Sequence, residues 1–345
     1  MKHKFPPLLA VQKHGDKVPG IWDMIEWVRG QGIEFGYKWN ESVCRYPIAY
    51  AIGALGKLGV PNAVATGVGA MYSALAMWRR EKRVFRYNPD LLREVVDTAD
   101  DLVIPVDILY QMPAQCVFVE YPETGFDVAG FFAWIECDVE RNSQELRLIH
   151  ISRDAQMITN LSVHLKPNGT IGDGIDDAIE RMRENFPDDS RLKDAINCIN
   201  ESRSITIESV QLLLYICAEN ADIKEDDEQK KIYKPGQKIA DKFREVRKWD
   251  VGDNIGEQIR IIKSRKPPRP ENDSMNFPEA EKEDSEKDSK SPRKYKNRPH
   301  TRRAHWHHYW TGEGRKKLVL KWINTMIINA EDGEVGVTVQ IVDKK

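Results

Sequence analysis

The apolar and polar positions fall into blocks of different period along the chain. Residues 21–28 carry an apolar-rich helical pattern. Residues 41–58 and 63–83 follow as a helical hairpin around the Pro61-Asn62 break. The second helix ends in Arg79-Arg80-Glu81-Lys82-Arg83, where basic side chains complement a helix C-terminus. Gly53, Gly56 and Gly59 offer the pair a close approach. Residues 89–102 predict a further short helix, with Asn88 as its N-cap ahead of Pro89.

The period then shortens to two. Residues 116–120, 131–139 and 146–151 predict strands, the last two joined by the polar turn Arg141-Asn142-Ser143-Gln144 as an antiparallel hairpin. Residues 161–165 predict another strand, stopped at Pro167-Asn168-Gly169. Helical spacing returns over residues 174–185, 191–200 and 207–219, the last apolar enough to be core. Residues 237–249 read as an amphipathic helix. After the break Lys266-Pro267-Pro268-Arg269-Pro270, residues 271–290 hold almost no large apolar side chains. Such a composition cannot offset its ordering entropy, which predicts a mobile acidic linker. Residues 317–323 and 325–328, the turn Glu331-Asp332-Gly333-Glu334 and residues 335–342 predict a small β hairpin or meander. Leu318, Leu320 and Trp322 share one of its faces.

The expected fold class is therefore α+β: an N-terminal helical region (residues 1–105), an α+β core with antiparallel hairpins (106–223) and a charged connecting segment (224–265). A linker (266–297) and a C-terminal basic and aromatic β module (298–345) complete it. Apolar residues make up 41% and charged residues 31% of the 345, enough for a sizeable core beneath a polar surface. The formal net charge of −2 places no demand for nucleic acid or an acidic membrane on the whole molecule. Five cysteines without a C-x-x-C pair read as small buried hydrophobes in a reducing compartment. No apolar run follows the basic start of the chain. Residues 48–78, rich in Ala and Gly, are too interrupted for a membrane span. A cytoplasmic protein is expected, without membrane contact and without a cofactor. Asp173-Gly174-Ile175-Asp176-Asp177 lacks EF-hand spacing and reads as a helix start with capping acids. Gly312-Glu313-Gly314-Arg315-Lys316-Lys317 is not a phosphate-binding loop.

Charge changes the picture near the C-terminus. Residues 290–317 hold ten Lys or Arg and a single acid, Glu313, directly after the acidic linker. Within residues 300–310 lie four of the eight histidines (His300, His305, His307, His308) and three aromatics (Trp306, Tyr309, Trp310). Three chemistries suit this composition. Arg298, Arg302 and Arg303 can meet phosphates while Trp306, Tyr309 and Trp310 offer faces to unpaired bases, as single-stranded RNA binding requires. On an extended strand His305 and His307 share a side and could ligate one ion, or serve as acid and base in a ribonuclease. Alternatively, the rings pack as core and the arginines pair with acids elsewhere.

The run Arg298-Pro299-His300-Thr301-Arg302-Arg303-Ala304-His305-Trp306-His307-His308-Tyr309-Trp310-Thr311-Gly312, with the strand ending Lys321-Trp322, resembles the C-terminal module of the second type V-A anti-CRISPR family. Similar in order and character are Cys116-Val117-Phe118-Val119 with Gly130-Phe131-Phe132-Ala133-Trp134, the helix over residues 212–223, and Val251-Gly252 with Ile255-Gly256. The resemblance implies a protein of a mobile element, phage or plasmid, that lowers the level of a type V-A CRISPR nuclease. It implies recognition of the nuclease's nascent N-terminal polypeptide and loss of the mRNA under translation. The partners would be that polypeptide, the ribosome or mRNA, and a host ribonuclease. His300, Arg302, Arg303, His305, Trp306, His307, Tyr309 and Trp310, with Arg298, would form the RNA- or partner-binding surface. An RNA-binding ribonuclease built on the same His/Arg cluster is the alternative.

Overall fold

The computed structural model describes residues 5–96, 106–121, 128–138, 143–166, 169–185, 187, 190, 192–225, 246–264, 300–302, 304–315, 317–324 and 326–328. Four helices come first: α1 (Pro6–Lys17), α2 (Ile21–Glu34), α3 (Ile48–Lys57) and α4 (Asn62–Glu81). Pro6 opens α1, where a missing N–H costs nothing. The close approach of α3 and α4 rests on Gly69 rather than on the glycines of α3. A Cβ there would stand 2.5 Å from Ile52 Cγ1, whereas one at Gly56 would meet nothing. Among the described residues no helix is long and apolar enough to cross a membrane.

Helix α4 stops at Glu81. Lys82 turns the chain through a left-handed conformation (φ 51°), and Trp78 Nε1 donates to the Arg83 carbonyl at 2.8 Å. A strand the sequence pattern does not announce, β1 (Arg83–Tyr87), starts there. Asn88 then caps α5 (Pro89–Val96) as expected, its Oδ1 accepting from the Asp90 N–H at 3.0 Å. After α6 (Val106–Leu109) come β2 (Cys116–Glu120), β3 (Val128–Asp138), β4 (Ser143–Ser152) and β5 (Met157–His164). Helices α7 (Ile171–Asn185), α8 (Leu192–Glu201) and α9 (Arg203–Cys217) follow, then β6 (Ile223–Glu225), β7 (Arg247–Val251) and α10 (Asp253–Ser264).

Strands β1–β7 form one mixed sheet in the order β5-β4-β3-β2-β1-β7-β6. The expected antiparallel hairpin is present as β3–β4. Strand β1, however, runs parallel to both β2 and β7, so the sheet draws on residues 83–87, 116–164 and 223–251 together. The end of the expected helix over residues 237–249 is corrected: Trp249 lies in β7, stacked on Phe85 at 5.5 Å, with the Arg247 guanidinium 4.9 Å from its ring. Cross-strand aromatic packing outweighs the helical spacing of charges there. Residues 237–245 lie outside the described residues.

Alternation along β2 and β3 sends Cys116, Phe118, Phe132 and Trp134 to one face, under α1–α4. Val117, Val119, Phe131, Ala133 and Ile135 go to the other, under α5, α7, α9 and α10. The α+β fold is thus a sheet between two helical layers. Glu136 and His150 are among the polar groups sealed inside. Glu136 accepts from the Ile48 N–H at the start of α3 (2.7 Å) and from Trp134 Nε1 (2.9 Å), while burial pushes its pKa up to about 8. On the other face His150 Nε2 lies 2.8 Å from Ser209 Oγ and Nδ1 2.6 Å from Thr159 Oγ1. Ser209 donates to the Ile205 carbonyl, so it accepts from His150 Nε2–H, and Nδ1 accepts from Thr159. This neutral tautomer fills the site, and burial lowers the His150 pKa from 6.5 to about 4.

The sign of the linkage follows. Below pH 6.5 the unfolded chain takes up a proton that the native His150 refuses, so stability falls with pH until about 4. The loss attributable to His150 is roughly 3 kcal/mol, and His14, lowered to about 4, adds to the same slope. Urea midpoints of the wild type and His150→Gln between pH 4 and 6.5 should diverge in slope, the variant being flatter. Parallel profiles would contradict the assignment.

Candidate partner-binding hairpin

The basic and aromatic run forms two short strands. Strand β8 (His300–Arg302) pairs antiparallel with β11 (Met326–Ile328), which sets His300 opposite Ile328 and Arg302 opposite Met326. Strand β9 (His305–Thr311) pairs antiparallel with β10 (Lys317–Ile323), in the register Trp306↔Trp322, His307↔Lys321 and Tyr309↔Val319. Gly312 (φ 78°), and Gly314 (φ 69°) inside the short 3-10 turn Glu313–Arg315, let the chain reverse between the two strands. The partner of the 317–323 strand is therefore the histidine-rich segment. The expected return strand over residues 335–342, the linker over 266–297, Arg298 and Arg303 lie outside the described residues.

Strand alternation divides the site in two. On one face Trp306 (9% exposed) meets Trp322 (1% exposed) with ring centroids 5.0 Å apart and nearly perpendicular. Trp322 continues onto Tyr215 of α9 at 6.0 Å, and Tyr215 onto Tyr87 of β1 at the same distance. The hairpin is thereby part of the main core. A side-chain clamp fixes its outer edge: Asn220 Nδ2 donates to the Trp322 carbonyl at 2.7 Å, and the Trp322 N–H donates to Asn220 Oδ1 at 3.3 Å. One amide side chain thus stands in for a neighbouring strand's peptide group. Lys321 reaches Glu219 at 3.6 Å beside it.

The other face carries His305, His307 and Tyr309. The expected common side of His305 and His307 is observed, with their rings 6.4 Å apart, and His307 lies 4.5 Å from Tyr309. Tyr309 is 39% exposed. Trp310, beyond the point where the core covers the Trp306 side, is 58% exposed. Among the described residues no group of three or more His, Cys, Asp or Glu side chains is placed to hold a metal ion. The structure thus brings His305, His307, Tyr309 and Trp310 to the surface of one strand and turns Trp306 inward. Asn220, Glu219 and Tyr215, which hold its partner strand β10 in place, carry no signal in the sequence around the motif.

Fold and hairpin define an α+β protein whose sheet core carries an anchored, aromatic surface strand. The crystal structure of AcrVA2 shares this fold, with a TM-score of 0.55 and 14% identity over 92% of this chain and 97% of that one. Residues 85–330 match the model of the Anti-CRISPR type V subtype A2 family (AcrVA2-like), and the chain belongs to that family. The match begins within β1 and takes in every segment of the resemblance. The protein FinQ of Escherichia coli is 23% identical over 216 residues, which span 55% of this chain and 60% of FinQ.

Proposed function

We propose that this chain lowers the level of a type V-A CRISPR nuclease by binding its nascent N-terminal polypeptide and causing loss of the mRNA under translation. In this reading the exposed face of β9, with His305, His307 and Tyr309, and the exposed Trp310 at the end of the opposite face contact the message, the ribosome or a recruited host ribonuclease. Arg298, His300, Arg302 and Arg303 lie just before it in the chain and supply charge for phosphates. Trp306 is the anchor rather than a contact. Membership of the anti-CRISPR family supports the target. The observation that carries the surface is the exposure of two aromatic rings on a strand held firmly from behind.

The test uses cells expressing a type V-A nuclease from its own gene, or from a copy with the start codon removed. Transcript levels are followed with and without this chain. Loss of the translated transcript alone is expected, and Arg302→Ala with Arg303→Ala should abolish it without changing the thermal midpoint. Equal loss of both transcripts would overturn nascent-peptide recognition and favour a ribonuclease acting through His305 or His307. Full activity in the double variant would overturn the assigned surface.

A further inference from the structure

A cavity of about 580 Å³ opens at the end of the sheet where β2 begins, and its lining includes no residue of the C-terminal hairpin. Its volume lies in the range of small-ligand sites. Val43 and Met112, half-buried in front of the fully buried Leu109 and Ile135, give it an apolar strip, and Arg45 and Arg80 stand on its larger polar side. The two guanidinium groups differ in what they have to bind. Arg45 is held by Glu26 at 2.9 Å and lies 3.2 Å from the Tyr46 hydroxyl. Arg80, on the last turn of α4, is exposed and, among the described residues, donates only to that same hydroxyl, at 3.4 Å. Tyr46 in turn donates to Glu26 at 2.5 Å, so the acid nearest both arginines is already committed to Arg29, Arg45 and Tyr46. Glu81, also in the lining, is paired with Arg83 at 2.8 Å. The wall therefore keeps one cationic group without a carboxylate partner among the described residues, beside aliphatic surface.

We propose that this cavity binds a carboxylate carried on an aliphatic body, with Arg80 pairing the carboxylate and the half-buried Val43 and Met112 meeting the aliphatic part. The same chemistry is offered by a free medium-chain carboxylic acid and by a Glu flanked by leucines in a peptide. The lining holds a single aromatic ring, Tyr110, whose hydroxyl is bonded to Gln144, and the aliphatic side chains of Val43 and Met112 favour a saturated body. The proposal stands apart from the reading of the C-terminal hairpin, since the two share no residue.

The full chain is titrated with octanoate, with octanamide, and with the capped tripeptides Leu-Glu-Leu and Leu-Gln-Leu, by calorimetry and thermal shift. Binding by octanoate or by Leu-Glu-Leu, weakened at least tenfold in the matched amide, is expected, and the stronger of the two acids identifies the source. Arg80→Glu reverses the charge at an exposed position. Ser42→Trp blocks the mouth from another exposed position in the lining. Each should abolish the binding while leaving the unliganded melting curve unchanged. Equal binding of acid and amide, binding that survives both substitutions, or no binding by either acid would overturn the proposal. Transcript loss measured in the same variants reports on the hairpin separately.

Discussion

Trp322→Ala is expected to cost about 3–5 kcal/mol of unfolding free energy, the range for truncating a fully buried large aromatic. The indole is 1% exposed and joins Trp306 to Tyr215, so its removal leaves the hairpin resting on the Asn220 clamp and the Lys321–Glu219 pair. The buried N–H groups of Trp306 and Trp322 meet no hydrogen-bond partner among the described residues. Trp306→Phe should accordingly be much milder than Trp306→Ala, because it gives up area but no hydrogen bond. Denaturant unfolding of the three variants decides this. A cost below about 1 kcal/mol for Trp322→Ala would mean that the hairpin is not part of the core.

The second large effect concerns activity. Tyr309→Ala combined with Trp310→Ala removes both exposed rings of β9 and should abolish transcript loss in cells. Stability should move by no more than about 0.5–1 kcal/mol, the scale of surface substitutions. Each lost stacking contact is worth about 1–3 kcal/mol if the partner presents unpaired bases. Binding of a single-stranded RNA should then weaken by one to two orders of magnitude or more, with a shallow change in its salt dependence. Retained activity with both rings gone would remove the strand from the functional surface. The contrast between the buried pair Trp306 and Trp322 and the exposed pair Tyr309 and Trp310 separates the structural role of the hairpin from its surface role.

That alternation was legible in the sequence, but its sign was not. Six residues of period two place His305, His307 and Tyr309 together; nothing local says whether they or Trp306 face the core. The answer lies in Tyr215 and Asn220, about a hundred positions earlier, which supply the surface on which Trp322 rests. The same limit hid β1. Its five residues follow a basic helix end without a break, and only pairing with β2 and β7 makes them a strand. The first residues of β7 continue a stretch whose charges are spaced like a helix's, whereas Trp249 is fixed by Phe85. Signals confined to a few residues were plainer: Asn88 ahead of Pro89, and the basic end of α4. The cavity by Arg80 is assembled from residues 42–45, 80–81, 109–115 and 135, and no window of sequence contains it.

The place of β1 in the sheet also sets a schedule for synthesis. Arg83 must wait for Arg247 before the second edge of β1 is closed. At ordinary elongation rates that interval is on the order of ten seconds, during which the growing chain offers an open parallel edge. High contact order of this kind slows folding. The family core is therefore complete only late in translation, and the N-terminal helices, already covering one face of β1, serve as the cover for that edge's neighbourhood in the meantime. A truncated chain ending before residue 247 should be collapsed yet prone to association, which sedimentation of the nascent fragment would reveal.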